Sequence, residues 1–84
     1  MMIMFLMKQR TNIILALEKE EKNIYKLLRE TGMSAPHLLR NLEIFKKKGL
    51  VNIEKVGREK RISLTEKGKR LAVYLKAIKE ITGE

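Results

Sequence analysis

The 84-residue sequence contains no cysteine, no aspartate and no tryptophan, and it has one histidine. Without cysteine the chain can form neither disulfides nor thiolate metal sites. The single histidine, His37, has no acidic cluster beside it, so it is a poor metal ligand and belongs to no catalytic triad. There is also no Gly-rich phosphate loop. We therefore expect no metal, no cofactor and no enzymatic activity.

Long hydrophobic runs are also lacking. No apolar stretch reaches the 18 residues that a transmembrane helix requires. Residues 1–7, MMIMFLM, resemble the apolar part of a signal peptide, but they lack a charged segment before them and a small-residue cleavage site after them. We therefore expect a cytoplasmic protein, with a single domain over residues 1–84. A domain of this size buries only about 60–65% of its unfolded surface, which favours oligomerisation.

Positive charge is abundant. Nineteen Lys and Arg against ten Glu give a net charge of +9, which favours an anionic partner such as nucleic acid or a membrane surface. A Lys/Glu-rich thermophile surface is an alternative source of charge, but it would not by itself leave nine charges unbalanced. Residues 35–61 hold eight basic and three acidic residues. The scarcity of aromatic residues disfavours binding to single-stranded RNA, which requires stacking on unpaired bases.

One segment, residues 34–49, reads SAPHLLRNLEIFKKKG and carries signals for both ends of a helix. Ser34 is predicted to cap the N-terminus through its hydroxyl, and Pro36 suits a first turn whose N–H groups lack intrahelical partners. Gly49 is predicted to end the helix, and the three lysines 46–48 suit the negative end of its dipole. The apolar face is formed by Leu38, Leu42 and Phe45.

The remaining pattern predicts three further helices and a hairpin. Helices are expected over residues 3–19, 24–31 and 66–82, the second capped by Asn23 and the third by Thr65. The apolar N-terminus also fits an edge strand, although Leu6, Ile13, Ile14 and Leu17 share a helical face. Residues 18–22 are interpreted as a charged connector. Period-two alternation over 50–65 predicts a hairpin with arms 50–56 and 60–65 around Gly57. The fold class is α+β and mainly α.

These elements resemble a known family. Residues 27–51, LLRETGMSAPHLLRNLEIFKKKGLV, resemble the helix–turn–helix–GLV core of MarR-, ArsR- and PadR-like transcription regulators. Residues 57–61 (GREKR) resemble the basic tip of their wing, and residues 64–68 (LTEKG) resemble the LT-x-x-G start of the following helix. The chain therefore resembles a small archaeal or thermophile-type winged helix-turn-helix regulator over residues 13–75.

The resemblance implies a three-helix core, a two-stranded wing and a C-terminal dimerisation helix. It further implies a homodimeric transcription regulator that binds double-stranded DNA sequence-specifically. The helix at 35–48 would lie in the major groove, and the wing would contact the backbone or minor groove.

The family's base-reading positions correspond here to Ala35, Pro36, His37, Leu39, Arg40 and Asn41. Arg40 is the strongest candidate for pairing with guanine, with a phosphate contact as its alternative, and Asn41 could pair with adenine or face the first helix. Pro36 and Leu39 depart from the Ser or Thr that the family often has; Leu39 could touch a thymine methyl. The predicted DNA-binding residues are Ser34, Pro36, His37, Leu39, Arg40, Asn41, Lys46, Lys55, Arg58, Lys60 and Arg61.

The two ends of the chain carry more apolar surface than a small core needs. The surplus predicts an isologous dimer contact, with a monomer whose ends pack on one another as the alternative. The predicted interface residues are Met4, Phe5, Leu6, Leu71, Tyr74, Leu75, Ile78 and Ile81.

Two other functions fit the sequence. A winged helix can serve as a protein-interaction module, and Leu39 and Ile44, expected on or near the exposed side of the helix, favour that alternative. Non-specific architectural binding to DNA would use the same basic residues, because charge gives affinity without sequence information.

Overall fold

Four helices surround a small antiparallel sheet in the computed structural model, which describes the backbone of residues 2–83 and the side chains of residues 8–83. The elements are α1 (Met2–Ala16), β1 (Lys22–Asn23), α2 (Ile24–Thr31), α3 (Ala35–Lys47), β2 (Val51–Val56), β3 (Glu59–Leu64) and α4 (Glu66–Thr82). This arrangement confirms the predicted fold class. No helix within residues 2–83 has the length and apolar character needed to cross a bilayer.

The helix starts follow the predicted caps in two of three cases. The Asn23 side chain accepts a hydrogen bond from the Lys26 amide at 2.8 Å, and the Thr65 hydroxyl accepts one from the Gly68 amide at 3.0 Å. Ser34 occupies the N-cap of α3 in extended conformation, but its side chain makes no capping hydrogen bond. The prediction of a hydroxyl cap at Ser34 is therefore wrong. Pro36 lies in the first turn, as expected, and it removes one of the N–H groups that a cap could satisfy.

Helix α3 ends in a Schellman motif. The Leu50 amide donates to the Phe45 carbonyl oxygen at 2.8 Å, and the Gly49 amide donates to that of Lys46 at 3.0 Å. Gly49 has φ of 74°, the left-handed conformation that this motif requires. The predicted stop is confirmed, and it turns the chain directly from α3 into β2.

The hairpin pairs as the alternation predicts. Ile53 faces Ile62 and Val51 faces Leu64 across the β2–β3 ladder, with Gly57 in the turn. The sheet order is β1-β3-β2.

The strand β1 and the end of α1 differ from the sequence prediction. The connector predicted at residues 18–22 overlaps β1, which is only two residues long. It pairs Lys22 with Ile62 across 40 positions of sequence, so no local periodicity marks it. Helix α1 ends at Ala16 rather than residue 19, which leaves residues 17–21 to turn the chain toward this pairing.

The core lies between the helices and one face of the sheet. Every element except β1 contributes to it, and its buried apolar residues are Ile13, Ile14, Leu17, Leu27, Met33, Leu38, Leu42, Phe45, Leu50, Val51, Ile62, Leu64 and Ala72. The apolar face predicted for α3 packs here, and so do Ile13, Ile14 and Leu17 of the face predicted for α1, whereas the Leu6 side chain lies outside the described residues. Ile44 is partly buried against this core, so it lies at the edge of the exposed face of α3 rather than on it.

The junction between hairpin and α4 depends on a close backbone approach. A Cβ atom at Gly68 would lie 2.1 Å from the Leu50 carbonyl oxygen, so no larger residue fits without movement of the backbone. The Thr65 hydroxyl also donates to the Gly49 carbonyl oxygen at 2.6 Å, and the Thr65 amide donates to that of Leu50 at 3.0 Å. The glycine of the LT-x-x-G pattern therefore allows the first turn of α4 to pack directly against the backbone at the start of β2.

Candidate nucleic-acid interface

Helix α3 has one buried face and one exposed face. Leu38, Leu42 and Phe45 point into the core, and Asn41 joins them. At 3.6 residues per turn, the exposed positions fall within about 140° of the helix circumference. They are Ala35, Pro36, Leu39, Arg40, Glu43, Lys46 and Lys47. His37 lies at the edge between the two faces and is half-buried. The exposed face therefore carries most of the predicted base-reading positions.

Asn41 does not belong to that exposed face. Its side chain is 5% exposed, and the Arg10 Nε donates to its Oδ1 at 3.1 Å. Its own Nδ2 donates to the His37 carbonyl oxygen at 3.0 Å. The amide therefore ties α3 to α1, and the structure speaks against the prediction that Asn41 contacts DNA. The physical reason is that Arg10 of α1 reaches this side of α3. Asn41 therefore faces the first helix, which is the alternative given for it in the sequence prediction.

The hairpin presents a second set of basic side chains. Lys55 and Lys60 are cross-strand partners in the ladder, and Arg58 lies in the turn between them. All three are exposed, and none forms an ion pair with a described side chain. Side chains alternate between the two faces of a strand, so Lys55 and Lys60 lie on the same face of the hairpin as Ile62. The helices cover this face around Ile62 but not at the tip of the hairpin, where the two lysines lie. Two like charges directly opposite each other destabilise a hairpin unless an anion lies near them.

Arg61 differs from these neighbours. Its guanidinium lies 3.4 Å from a Glu21 carboxylate oxygen and 3.9 Å from one of Glu59. It occupies the opposite face of the hairpin, as the alternation predicts, next to the connector before β1. Since two carboxylates compensate its charge, Arg61 is a weaker candidate for a phosphate contact than the sequence suggests.

The acidic residues are concentrated away from α3. Lys22 pairs with Glu30, and Lys26 lies 3.0 Å from Glu20. The hydrogen bond from Lys26 and its positive charge lower the pKa of the Glu20 carboxyl. Glutamates thus neutralise lysines of β1 and α2, and the remaining ion pairs of the described residues involve Arg61, Lys69 and Lys76.

The basic residues of α3 and the hairpin have no such partners, apart from Arg61. Seven of them are exposed and form no ion pair with any side chain among residues 8–83. They are Arg40, Lys46, Lys47, Lys48, Lys55, Arg58 and Lys60.

The structure adds one residue to this surface that sequence reasoning does not identify as a contact. Glu43 lies one turn after Leu39 on the exposed face of α3 and pairs with no described cation. A carboxylate there can accept a hydrogen bond from the cytosine N4 amine. In the sequence, its spacing of four residues after Leu39 indicates that it lies on the exposed face. The charge count, in contrast, takes Glu43 only as a negative charge that offsets the basic residues of this segment. Among the described residues, no group of His and Glu side chains is arranged to hold a metal ion.

The predicted dimer residues divide into three groups. Leu71 and Leu75 pack against the core of their own chain, so much of their surface is already covered. Tyr74, Ile78 and Ile81 are exposed by 69%, 56% and 84%. Met4, Phe5 and Leu6 lie in α1 but outside the side chains that the structure describes. Of the residues predicted on α4, three are therefore exposed, and they share one side of the helix; Val73, which was not predicted, is also exposed, about 100° around the helix from Tyr74.

Solved structures with similar folds come from several prokaryotes. AF1382 from Archaeoglobus fulgidus superposes with a TM-score of 0.85 and 21% identity, over 92% of this chain and 90% of that one. The MarR family transcriptional regulator SPO1453 from Silicibacter pomeroyi gives 0.77 and 23%, over 87% and 54%. The adhesin competence repressor AdcR from Streptococcus pyogenes gives 0.80 and 17%, over 88% and 57%. The chain thus spans a little over half the length of the last two proteins, and the TM-scores show that all three share its fold.

The sequence also matches a family model over nearly its whole length. No curated protein matches it. Residues 2–76 match the model described as the DUF6293 C-terminal winged helix domain. This match confirms the resemblance to winged-helix proteins that the sequence indicates. The matched residues include α1, the helix-turn-helix, the hairpin and the first part of α4. The chain therefore belongs to the family of the DUF6293 C-terminal winged helix domain.

Proposed function

We propose that this protein is a cytoplasmic transcription regulator without enzymatic activity that binds double-stranded DNA sequence-specifically as a homodimer. Helix α3 enters the major groove, and the β2–β3 hairpin contacts the backbone or the minor groove. The DNA-binding residues are those of the exposed face of α3 together with Ser34, His37, Lys55, Arg58 and Lys60. The Ser34 hydroxyl, which does not cap α3, would meet a phosphate at the helix N-terminus.

One observation carries this proposal. Seven exposed basic side chains on α3, its C-terminal turn and the hairpin have no ion-pair partner among the described residues, whereas the paired lysines lie elsewhere. Unpaired cations on consecutive elements create a local positive potential that attracts a polyanion. The winged-helix fold gives this charge a helix of the right size for the major groove.

The hairpin adds a more local argument. Lys55 and Lys60 face each other with like charge at the end of the ladder. A phosphate between them would replace repulsion with two favourable charge contacts, which makes the hairpin better suited to the DNA complex than to the free protein.

Fluorescence anisotropy with labelled duplexes tests the proposal. A random duplex pool first yields a preferred sequence, and affinity is then measured between about 50 and 200 mM salt. Affinity should fall steeply, with a slope of about −0.9 for each phosphate contacted. Arg40→Ala should weaken the preferred duplex more than a random one, because a guanidinium pairs with both major-groove acceptors of guanine.

Lys19→Ala is the matched control for charge, since it removes one cation from the acid-rich connector. It should leave both affinity and preference within about twofold. Absence of binding to any duplex would refute the proposal. Binding that ignores sequence at every salt concentration would leave only an architectural DNA-binding role.

The homodimer rests on the exposed apolar face of α4. Tyr74, Ile78 and Ile81 follow at spacings of four and three, so they lie on one side of the helix. A symmetric contact between two copies of this face would cover them. Such dimers place two recognition helices about 34 Å apart, in successive major grooves.

Sedimentation equilibrium tests this assembly. The wild-type protein should have twice the chain mass of 9.8 kDa at micromolar concentration. Ile78→Glu should shift it to the monomer mass, because a carboxylate is costly to bury at an apolar contact. Val56→Glu, the same kind of change at the hairpin tip, should leave the dimer intact. A wild-type monomer at these concentrations would contradict the proposal.

A protein-interaction module is the second candidate. The observation in its favour is Leu39, which is 43% exposed at the middle of the proposed reading face. A stable protein complex that Leu39→Ala disrupts, combined with no shift of any duplex, would decide for this candidate.

A further inference from the structure

The first turns of α3 expose apolar side chains where a DNA reader usually carries hydrogen-bonding groups. Ala35, Pro36 and Leu39 are all exposed, and the Leu39 side chain is 43% accessible. They fall within about 100° of the helix circumference, so they form one continuous patch. The N-terminal part of a recognition helix is the part that approaches base edges. This patch is therefore the surface that would meet the bases.

The polar alternatives on this surface are few. Asn41 is buried and held by Arg10 and the His37 carbonyl group, so its amide cannot reach a base. Arg40 and Glu43 lie beside Leu39 on the exposed face. Hydrogen-bond readout by α3 thus depends mainly on these two side chains, which lie about 40° (Glu43) and about 100° (Arg40) around the helix from Leu39, on the same side of it.

The chemistry of the major groove determines what such a patch can recognise. Base edges there present hydrogen-bond donors and acceptors, and the one apolar group is the 5-methyl of thymine, or of 5-methylcytosine where that base occurs. Leucine against a donor or acceptor would exclude water without replacing its hydrogen bond, which is unfavourable. Leucine against a methyl group buries apolar surface on both sides.

We infer that α3 recognises the 5-methyl group of a pyrimidine through Leu39, supported by Ala35 and Pro36. This inference rests on the proposed DNA-binding function and names the chemistry that its reading face selects. Leu39 is the specificity-determining residue, and Arg40 provides the adjacent polar contact. The preferred duplex should therefore contain a thymine beside the base pair that Arg40 reads.

A uracil scan tests the inference. Each thymine of the preferred duplex is replaced in turn by deoxyuridine, which removes the methyl and keeps all hydrogen-bonding groups. At one or two positions in each half-site, affinity should fall about fourfold, the factor that corresponds to one buried methyl group. Leu39→Ala should bind the thymine and uracil duplexes equally. Leu39→Met, which preserves an apolar contact of similar size, should retain the difference.

Arg40→Ala is the matched control on the same face. It should weaken binding to both duplexes by the same factor and leave their ratio unchanged. At each methyl-sensitive position, 5-methylcytosine is then compared with cytosine. Tighter binding of the methylated base shows that any pyrimidine methyl is read, and equal binding restricts the recognition to thymine. Circular dichroism melting verifies that every variant is folded.

The outcomes separate this inference from the proposed function. A duplex that is bound specifically but shows no uracil effect at any position overturns the inference and leaves sequence-specific DNA binding intact. A thymine–uracil ratio that persists in Leu39→Ala overturns the role of Leu39. Binding without sequence preference, or no binding to any duplex, overturns both the inference and the sequence-specific function.

Discussion

Two surfaces of this protein use the same residue types in opposite ways. The acid-paired surface, residues 18–30, places glutamates within reach of its lysines, as in the pairs Lys26–Glu20 and Lys22–Glu30. The recognition surface, α3 with its C-terminal turn and the hairpin, leaves seven basic side chains without such partners among the described residues. Surface ion pairs of the first kind contribute little to stability. Their consequence is electrostatic, because they neutralise part of the positive charge around β1 and α2 and leave that of α3 and the hairpin uncompensated.

The comparison shows why net charge alone is a coarse guide to function. A value of +9 indicates an anionic partner but does not say which part of the surface meets it. What distinguishes α3 and the hairpin is that seven unpaired cations lie together on consecutive elements, one of which is a helix that fits the major groove. The position of the glutamates is therefore as informative as that of the lysines.

The largest expected effect is a loss of stability when the close contact between α4 and the start of the hairpin is disrupted. Gly68→Ala places a methyl group against the Leu50 carbonyl oxygen and should lower the free energy of unfolding by about 3 kcal/mol. Urea denaturation at fixed protein concentration measures it. Lys69→Ala, one residue later on the exposed side of α4, should change stability by less than about 0.5 kcal/mol. Equal stability of the two variants would contradict the close approach of the Gly68 backbone to the Leu50 carbonyl oxygen.

The next effect compares unpaired basic residues of the recognition surface with ion-paired lysines elsewhere in the protein. The triple variant Lys55→Ala, Arg58→Ala and Lys60→Ala should lower DNA affinity on the order of hundredfold at about 0.1 M salt and reduce the salt slope by about 2.7. The triple variant Lys26→Ala, Lys69→Ala and Lys76→Ala removes the same formal charge from paired positions. Anisotropy titrations should show that this second variant changes affinity less than about threefold. Similar losses in both variants would mean that total charge, rather than its placement, governs binding.

A third prediction separates two adjacent residues. Asn41→Ala removes the partner of Arg10 and the bond to the His37 carbonyl oxygen, which should cost about 1–2 kcal/mol of stability. Thermal melting measures this loss, and the base preference of the remaining folded protein should be unchanged. Arg40→Ala should do the reverse, altering binding with little effect on stability. A changed base preference in Asn41→Ala would show that the Asn41 side chain contacts a base after all.

The smallest effect concerns Arg61. Because Glu21 and Glu59 already compensate its charge, Arg61→Ala should weaken DNA binding by about twofold or less. Arg58→Ala, at an unpaired position in the hairpin turn, should weaken DNA binding severalfold under the same conditions. Anisotropy titrations of the two single variants measure the difference, and an equal loss in both would show that the carboxylates do not screen Arg61.

Much of the fold could be predicted from the sequence because its signals are local. Asn23 and Thr65 cap helices through hydrogen bonds that span three residues, and Gly49 ends α3 through its own backbone conformation. The alternation around Gly57 likewise specifies which hairpin residues face inward. Each of these features depends on neighbours within a few positions, so the order of residues is sufficient to identify it.

The predictions fail where a distant segment decides the outcome. The two residues of β1 become a strand only because β3 offers a free edge. Leu71 and Leu75 are covered by their own core, which reduces the apolar face available for a dimer. Neither result follows from periodicity, because both depend on which elements meet in space.

The segment SAPHLLRNLEIFKKKG shows the same division. The sequence by itself determined that it forms a helix, where the helix ends and which side is apolar, since these follow from spacing and backbone chemistry. Only the tertiary structure decided that Asn41 is held by Arg10 while its neighbour Arg40 stays exposed. The physical reason is that adjacent helical residues point about 100° apart, so the side chain that faces Arg10 of α1 is buried while its neighbour remains accessible.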